Sequence, residues 1–190
     1  MNDEKGKTHP IKNFLRRLIH LFEHVLAIFG ALMLLFWLCF NYSNVVSPSM
    51  SPTLQGSVSQ HDSVLTEKLS YRFRQPRRWE VVAFLDEEGT QIMKRVVGLP
   101  GEKVQMLPHG RIFIDGKETP PPPELAFLHY FPYGNLAGEK VVDCAEGYYL
   151  LGDFSRDSGD SRFSGPIGPR QIIGRAWIIV RPSERRGFIH

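Results

Sequence analysis

The chain has 190 residues, which is room for one compact domain and an anchor but not for two full domains. A formal net charge of only +3 does not indicate nucleic-acid binding, and 17 glycines with 14 prolines favour a turn-rich β domain over a helical bundle. The two cysteines are predicted to be unpaired, because Cys39 lies in the most apolar stretch and Cys144 far along the polar part.

The most apolar stretch lies near the N-terminus. Residues 25–40 carry no charge, and extension back to residue 18 gives the roughly 20 residues that a helix needs to cross a bilayer. We therefore predict a segment 1–17 followed by a transmembrane helix over 18–40. A cleaved signal peptide is the alternative; however, no A-x-A-like site follows, and the apolar run is long for such a peptide.

Basic residues lie on one side of this helix. Five precede it, and the next Lys or Arg in the chain is Lys68. The positive-inside rule therefore predicts a cytoplasmic N-terminus and an extracytoplasmic domain over 41–190. The five basic residues are Lys5, Lys7, Lys12, Arg16 and Arg17.

Short alternating stretches separated by turn signals follow the anchor. They predict an all-β sandwich or barrel rather than a helical fold. The predicted strands cover 63–67, 80–85, 91–98, 111–115, 148–151 and 176–180. A small irregular insertion is predicted at about 107–145, since the prolines at 120–123 exclude a central strand. The last ten residues are predicted to be frayed.

The first candidate for chemistry is S-P-S-M-S-P-T-L, residues 47–54, just beyond the membrane edge. Its prolines restrict the backbone and prevent a helix, so a serine there can be held rigidly, as a nucleophile requires. The alternative interpretation is a serine- and proline-rich linker.

The second candidate is Lys94 in M-K-R-V-V-G-L-P-G-E, residues 93–102. Strand alternation places Lys94 and Arg95 on opposite faces. An inward lysine would lose solvation, and its pKa would have to fall from about 10.4 towards 7–8 before the amine could accept a proton at neutral pH. The alternative is an ordinary solvated lysine on an edge strand.

The third candidate is the polar segment 152–166, G-D-F-S-R-D-S-G-D-S-R-F-S-G-P. Ser158 is a candidate to hydrogen-bond and orient the lysine amine, and Asp160 to pair with Arg162 or Arg95. An EF-hand fails because Ser158 and Ser164 occupy positions that require glycine and glutamate. A trypsin-like site fails for want of a suitable histidine, and no motif supports a metal or another cofactor.

Taken together and in this order, the three segments resemble bacterial type I signal peptidases, which are membrane-bound Ser–Lys proteases. The resemblance begins with the anchor, runs through the two motifs and H-D-S-V, and resumes from L-L-G-D to G-R-A. It implies a coiled β-sheet, barrel-like catalytic domain. The implied substrates are exported preproteins, whose signal peptides are removed after small residues at A-x-A-like sites.

The resemblance also implies a role for each site residue. Ser49 matches the nucleophile and Lys94 the general base, with the oxyanion bound by the Ser47 hydroxyl and the Ser49 N–H. Ser158 matches the serine that positions the lysine. The residues that match the bracing ion pairs are Arg95, Asp160 and Arg162.

Some residues depart from the family pattern. Phe154 and Ser155 stand where the family usually has Asn-Arg, Pro48 where glycine is common, and the insertion is short. These features are similar to those of conjugative-transfer and pilin-processing relatives, so a dedicated peptidase working with secretion or pilus machinery is an alternative to a general one. A non-catalytic membrane scaffold is a further alternative. The location implied is the bacterial inner (plasma) membrane, with the lipid bilayer as a partner and the catalytic domain on the periplasmic side.

Overall fold

The computed structural model describes residues 10–57 and 60–190 and divides the chain into two units, which are considered separately. The described residues of unit 1 form the helix α1, Pro10–Cys39. Thirty residues make it about 45 Å long. Within the described part of the chain, α1 is the one helix long and apolar enough to cross a membrane, with a mean hydropathy of 2.1 over an 18-residue stretch. Lys5 and Lys7 of the predicted cytoplasmic segment lie outside the described residues.

Unit 2, Phe40–His190, is built mainly of short antiparallel strands, which confirms the predicted all-β class. The strands are β1 Phe40–Asn44, β2 Ser63–Glu67, β3 Val81–Leu85, β4 Gln91–Gly98, β5 Lys103–Leu107, β6 Arg111–Ile114, β7 Lys117–Glu118, β8 Val141–Asp143, β9 Tyr149–Leu151, β10 Ile172–Arg181 and β11 Gly187–Phe188. One short helix, α2, covers Ser161–Ser164.

Seven of these strands form the larger sheet, in the order β1-β2-β10-β3-β4-β9, with β11 beside β10. The strands predicted from alternation all lie within one or two residues of observed ones, except that β10 extends farther in its N-terminal direction. On β4, Met93 packs into a cluster with Val81 and Ala83, whereas Ile92 and Val96 contact a second cluster around Val82. The two faces of β4 therefore border different parts of the core.

The smaller sheet has the order β7-β6-β5-β8 and lies where the sequence predicts an insertion. Its strands β5 and β6 alternate buried and more exposed residues, and Val104, Met106 and Ile112 pack against Tyr149 and other core residues. The prolines at 120–123 fall between β7 and β8, in agreement with their inability to donate to a central ladder.

The C-terminal segment is ordered against the larger sheet, and the prediction that it is frayed is wrong. Strand β11 pairs with β10, and Ile189 is 5% exposed. The Arg185 guanidinium donates to both carboxylate oxygens of Asp62 and to the carbonyl oxygens of Pro52 and Thr53. The charge-assisted hydrogen bonds of Arg185 and the buried side chain of Ile189 hold this segment in place. Both are tertiary contacts, which local composition cannot predict.

Candidate active site

The candidate nucleophile lies on a short, well-anchored turn. Ser49 is the middle residue of a 3-10 helix, Pro48–Met50, in which Pro48 occupies the first position that proline tolerates. Met50 and Leu54 bury their side chains in the core at 1% and 0% exposure. The Ser49 carbonyl accepts a hydrogen bond from the Phe154 N–H at 3.0 Å. The serine is thus held by burial on one side and by the polar segment on the other.

Lys94 reaches this serine from β4. Its side chain is 2% exposed, and its Nζ lies 2.6 Å from Ser49 Oγ. Strand β9 pairs with β4 only from Arg95 onward, so the nucleophile turn can occupy the space beside the first half of β4. The structure therefore brings together two residues that are 45 positions apart in the chain.

Burial lowers the pKa of Lys94 to about 8, because an ammonium group loses most of its hydration there. The carboxylates of Asp160 and Asp153 act in the opposite direction but do not offset the loss of water. With such a pKa, about one molecule in ten carries the neutral amine at pH 7. The pKa lies in the range that a general base needs.

Ser47 completes the polar groups around the nucleophile. Its Oγ lies 3.0 Å from Ser49 Oγ, within hydrogen-bond distance, and either hydroxyl can be the donor. A hydroxyl in this position can turn its proton towards an oxyanion that forms beside Ser49. The structure thus places the three predicted residues Ser47, Ser49 and Lys94 within one hydrogen-bonded group.

Ser158 lies close to the nucleophile turn, but its hydroxyl donates to Asp160 Oδ2 at 2.8 Å. Gly152 lies between Ser158 and Ser49, where an added Cβ would come within 2.6 Å of the Ser49 carbonyl oxygen. Only a residue without a side chain fits this approach. Orientation of the lysine by Ser158 stays a prediction, since the hydrogen bond observed for its hydroxyl runs to Asp160.

Two buried ion pairs brace the site. Arg162 donates to both oxygens of Asp160, at 2.8 and 2.7 Å. Arg95 donates in the same two-pronged way to Asp153, at 2.8 and 2.7 Å. All four side chains are fully shielded from solvent.

Of the two pairings predicted for Asp160, with Arg162 or with Arg95, the structure contains the one with Arg162. Arg95 pairs instead with Asp153, a residue that was not among the predicted site residues. Asp153 also accepts a hydrogen bond from the Thr53 hydroxyl, four residues after the nucleophile. The signal that could have identified it is the Gly152-Asp153 pair at the end of a buried strand, since a carboxylate there must find a cation.

The departure at Phe154-Ser155 has a visible consequence. Ser155 Oγ accepts hydrogen bonds from Arg162 at 2.7 Å and from the Phe131 N–H at 2.9 Å. The hydroxyl thus ties the ion pair to the chain segment between β7 and β8. Phe154 is 41% exposed.

A cavity of about 370 Å³ opens beside the serine. One wall comes from residues 44–50 and the other from residues 90–94 at the unpaired edge of β4. Its apolar lining includes Val45, Met50 and Met93. Within the residues described, no group of three or more His, Cys, Asp or Glu side chains is placed to hold a metal ion.

Comparison with known proteins gave concordant matches. The sequence matches the family described as signal peptidase, peptidase S26, over residues 18–181. A signal peptidase I of Leptolyngbya laminosa is 36% identical over 152 residues, covering 75% of this chain and 70% of that protein. A probable signal peptidase I-2 of Synechocystis is 32% identical over 152 residues, covering 76% of this chain and 65% of that protein.

Among solved structures, a signal peptidase I from Enterococcus faecalis V583 matches with 24% identity and a TM-score of 0.42, covering 54% of this chain and 97% of that one.

Proposed function

Because the chain belongs to the signal peptidase family, peptidase S26, and is thereby a serine endopeptidase that removes signal peptides, we propose that Ser49 and Lys94 carry out its reaction. The observation that supports this most directly is the 2.6 Å separation of Lys94 Nζ from Ser49 Oγ at a site where both side chains are buried. A nucleophile and a base at hydrogen-bond distance are the arrangement that acyl transfer requires.

In the proposed first half-reaction, the neutral Lys94 amine takes the hydroxyl proton of Ser49 while Oγ attacks the scissile carbonyl carbon. The Ser49 N–H and the Ser47 hydroxyl donate to the resulting oxyanion; such a donor is worth about 2.7–4 kcal/mol. The Lys94 ammonium then gives its proton to the leaving nitrogen, the C–N bond breaks, and the signal peptide stays on Ser49 as an ester.

In the second half-reaction, Lys94 removes a proton from a water molecule, whose oxygen attacks the ester carbonyl. Collapse of the second tetrahedral intermediate breaks the bond to Ser49 Oγ, which recovers a proton from Lys94. One amine thus serves as base and acid in both halves. The buried Asp160–Arg162 and Asp153–Arg95 pairs contribute by keeping the surrounding backbone rigid.

The cavity beside Ser49 supports a preference for small residues at the −1 and −3 positions. An extended substrate can add to the free edge of β4 opposite residues 44–46. Alternate side chains of an extended chain then point into the same cavity. The shallow apolar surface offered by Val45 and Met93 suits alanine-sized groups.

We further propose that α1 anchors the enzyme in the bacterial inner (plasma) membrane with its N-terminus in the cytoplasm and unit 2 outside. The basic residues at its start support this orientation, and they include Lys12, Arg16 and Arg17 among the described residues. The substrates are preproteins whose own signal peptides are apolar. Diffusion of both partners in one plane raises their effective concentration.

The test is cleavage of an exported precursor by the detergent-purified, full-length protein. Ser49→Ala is expected to abolish processing while the melting temperature stays within a few degrees of wild type. Ser51→Ala, two residues away and outside the hydrogen-bonded group, is the matched control and should retain activity. Mass spectrometry of the products should locate the cut after a small residue.

Processing retained by Ser49→Ala would refute the dyad. A pilin precursor supplied beside the exported precursor tests the dedicated alternative, which requires the pilin to be cleaved much faster. Binding of either precursor without turnover by the wild-type protein would favour the scaffold.

A further inference from the structure

A second cavity, of about 230 Å³, adjoins the dyad. It is enclosed by parts of β3, β4 and β9 together with the segment 159–171 that contains α2. Its wall and the wall of the 370 Å³ cavity share three residues, Ile92, Lys94 and Gly159. Lys94 therefore stands between the two cavities.

The proton that Lys94 returns to the leaving nitrogen determines where the first residue after the scissile bond must lie. In the proposed reaction the leaving nitrogen receives its proton from Lys94, so the first residue after the scissile bond must lie against Lys94. The residues before that bond occupy the cavity that Ser47 and Ser49 line together with Lys94. The second cavity does not include either serine.

The alternation of side chains along an extended substrate also places the +1 side chain at the second cavity. Successive residues of an extended chain point to opposite sides, so if the −1 side chain enters the first cavity, the +1 side chain points away from it. Met93 lines only the first cavity, whereas Phe84 and Leu150, on the other face of the sheet, line only the second. The +1 side chain and the second cavity thus share a face.

The chemistry of the cavity indicates what it binds. Its buried lining includes the apolar residues Phe84, Leu150 and Ile167, and also Asp160, whose carboxylate is paired with Arg162. Its rim carries the carboxylates of Asp86 and Glu87. Asp86 is held in place by hydrogen bonds from the N–H groups of Glu88 and Thr90. Apart from Lys94 itself, the lining contains no Lys or Arg among the described residues.

From this arrangement we propose that the 230 Å³ cavity is the binding site for the first residue of the mature protein and that it favours lysine or arginine there. The alkyl stem of such a residue lies along the apolar wall, and its cationic end reaches the acidic rim, as long basic side chains do elsewhere. The proposal rests on the Ser49–Lys94 mechanism and adds a substrate class to it: preproteins with a basic residue directly after the cut.

The experiment compares three peptides that are identical except at +1, which is Lys, Gln or Glu. Two further peptides carry Ala at +1, one with Lys at +2 and the other, the Ala reference peptide, with Ala at +2. For wild type, kcat/KM is expected to fall in the order Lys, Gln, Glu, with Lys about threefold to tenfold above Glu, since partly exposed charge pairs are worth little each. The ratio should shrink at high salt, as screening requires. The peptide with Lys at +2 should show no gain over one with Ala at both positions.

Glu87→Lys is expected to remove or reverse the Lys-over-Glu ratio. Glu88→Lys is the matched control: it makes the same charge change one residue away, and Glu88 does not line the cavity. The control should keep the wild-type ratio. Each ratio is measured within one protein, so a general loss of activity cancels.

Equal rates for Lys and Glu at +1 in wild type, or equal ratios in Glu87→Lys and Glu88→Lys, would overturn the proposal. So would a basic preference found only at +2. These results differ from failure of the dyad mechanism, in which Ser49→Ala would still cleave the Ala reference peptide.

Discussion

Two neighbouring residues on β4, Lys94 and Arg95, have opposite surroundings. Both are buried, at 2% and 0% exposure. Arg95 donates hydrogen bonds to both carboxylate oxygens of Asp153 and also to the backbone oxygens of Trp79 and His190. Lys94 lies on the face that carries Ile92 and Val96, and its Nζ contacts the hydroxyl of Ser49.

The comparison shows that burial by itself does not decide whether a base keeps its charge. Arg95 has a directly bonded counter-ion, which compensates for lost hydration. Among the described residues no carboxylate forms an ion pair with Lys94, and loss of hydration lowers its pKa to about 8. One face of the strand is therefore suited to proton transfer and the other to holding the site together.

The largest effect is expected when the reactive face loses its amine. Lys94→Met should reduce kcat/KM for a precursor by roughly 10⁴-fold, because the serine then lacks its base. The melting temperature should not fall, since a poorly solvated amine is replaced by an apolar chain of similar length. Lys103→Met, at an exposed lysine on β5, is the control and should leave kcat/KM unchanged.

Breaking the bracing face should instead cost stability. Asp153→Asn leaves the Arg95 charge buried without its counter-ion, and the free energy of unfolding should fall by about 3–5 kcal/mol. Urea denaturation of the variant measures this. The Arg111–Glu118 pair is half exposed and 4.0 Å apart, so Glu118→Gln provides the comparison. A loss no greater for Asp153→Asn than for Glu118→Gln would contradict a bracing role.

A smaller effect is expected at the oxyanion. Ser47→Ala removes one proposed donor and should lower kcat by roughly 10²–10³-fold with little change in KM. Ser47→Thr retains a hydroxyl and should keep most of the rate. Equal losses in the two variants would mean that the fit of the side chain, rather than its hydroxyl, matters.

The smallest perturbation of the difference between Lys94 and Arg95 is a change of pH, which alters the charge of Lys94 and not that of Arg95. Only the neutral amine accepts a proton, so kcat/KM should rise about tenfold per pH unit below the pKa of Lys94 and flatten above it. That pKa is about 8. Initial rates measured from pH 6 to 10 on a fixed precursor peptide would test this. An ascending limb centred near pH 6.5 would point to a histidine instead.

Local patterns were enough to predict most of the larger sheet. Strands β2, β3 and β4 have clear alternation between turn signals, and their positions agree closely with prediction. Strand β1 was missed because F-N-Y-S-N follows the anchor directly and is mostly polar. Strand β5 was missed because its five residues lie between two sets of turn signals, and β8 because it has only three.

The candidate residues for chemistry could be chosen from the sequence without the structure. Prolines on both sides of Ser49 indicated a rigid turn, and a period of two placed Lys94 and Arg95 on opposite faces. The order of the three motifs also indicated the family.

The partners of the buried charged side chains, in contrast, became known only from the folded structure. The pairing of Arg95 with Asp153, 58 residues away, and the ion pair of Arg185 with Asp62, 123 residues away, depend on which segments pack together. These contacts join residues that are far apart in the chain, so local composition cannot predict them. For the same reason the sequence could predict a reactive Lys94 only on the condition that its side chain is buried. The pKa follows from burial, and burial exists only in the folded chain.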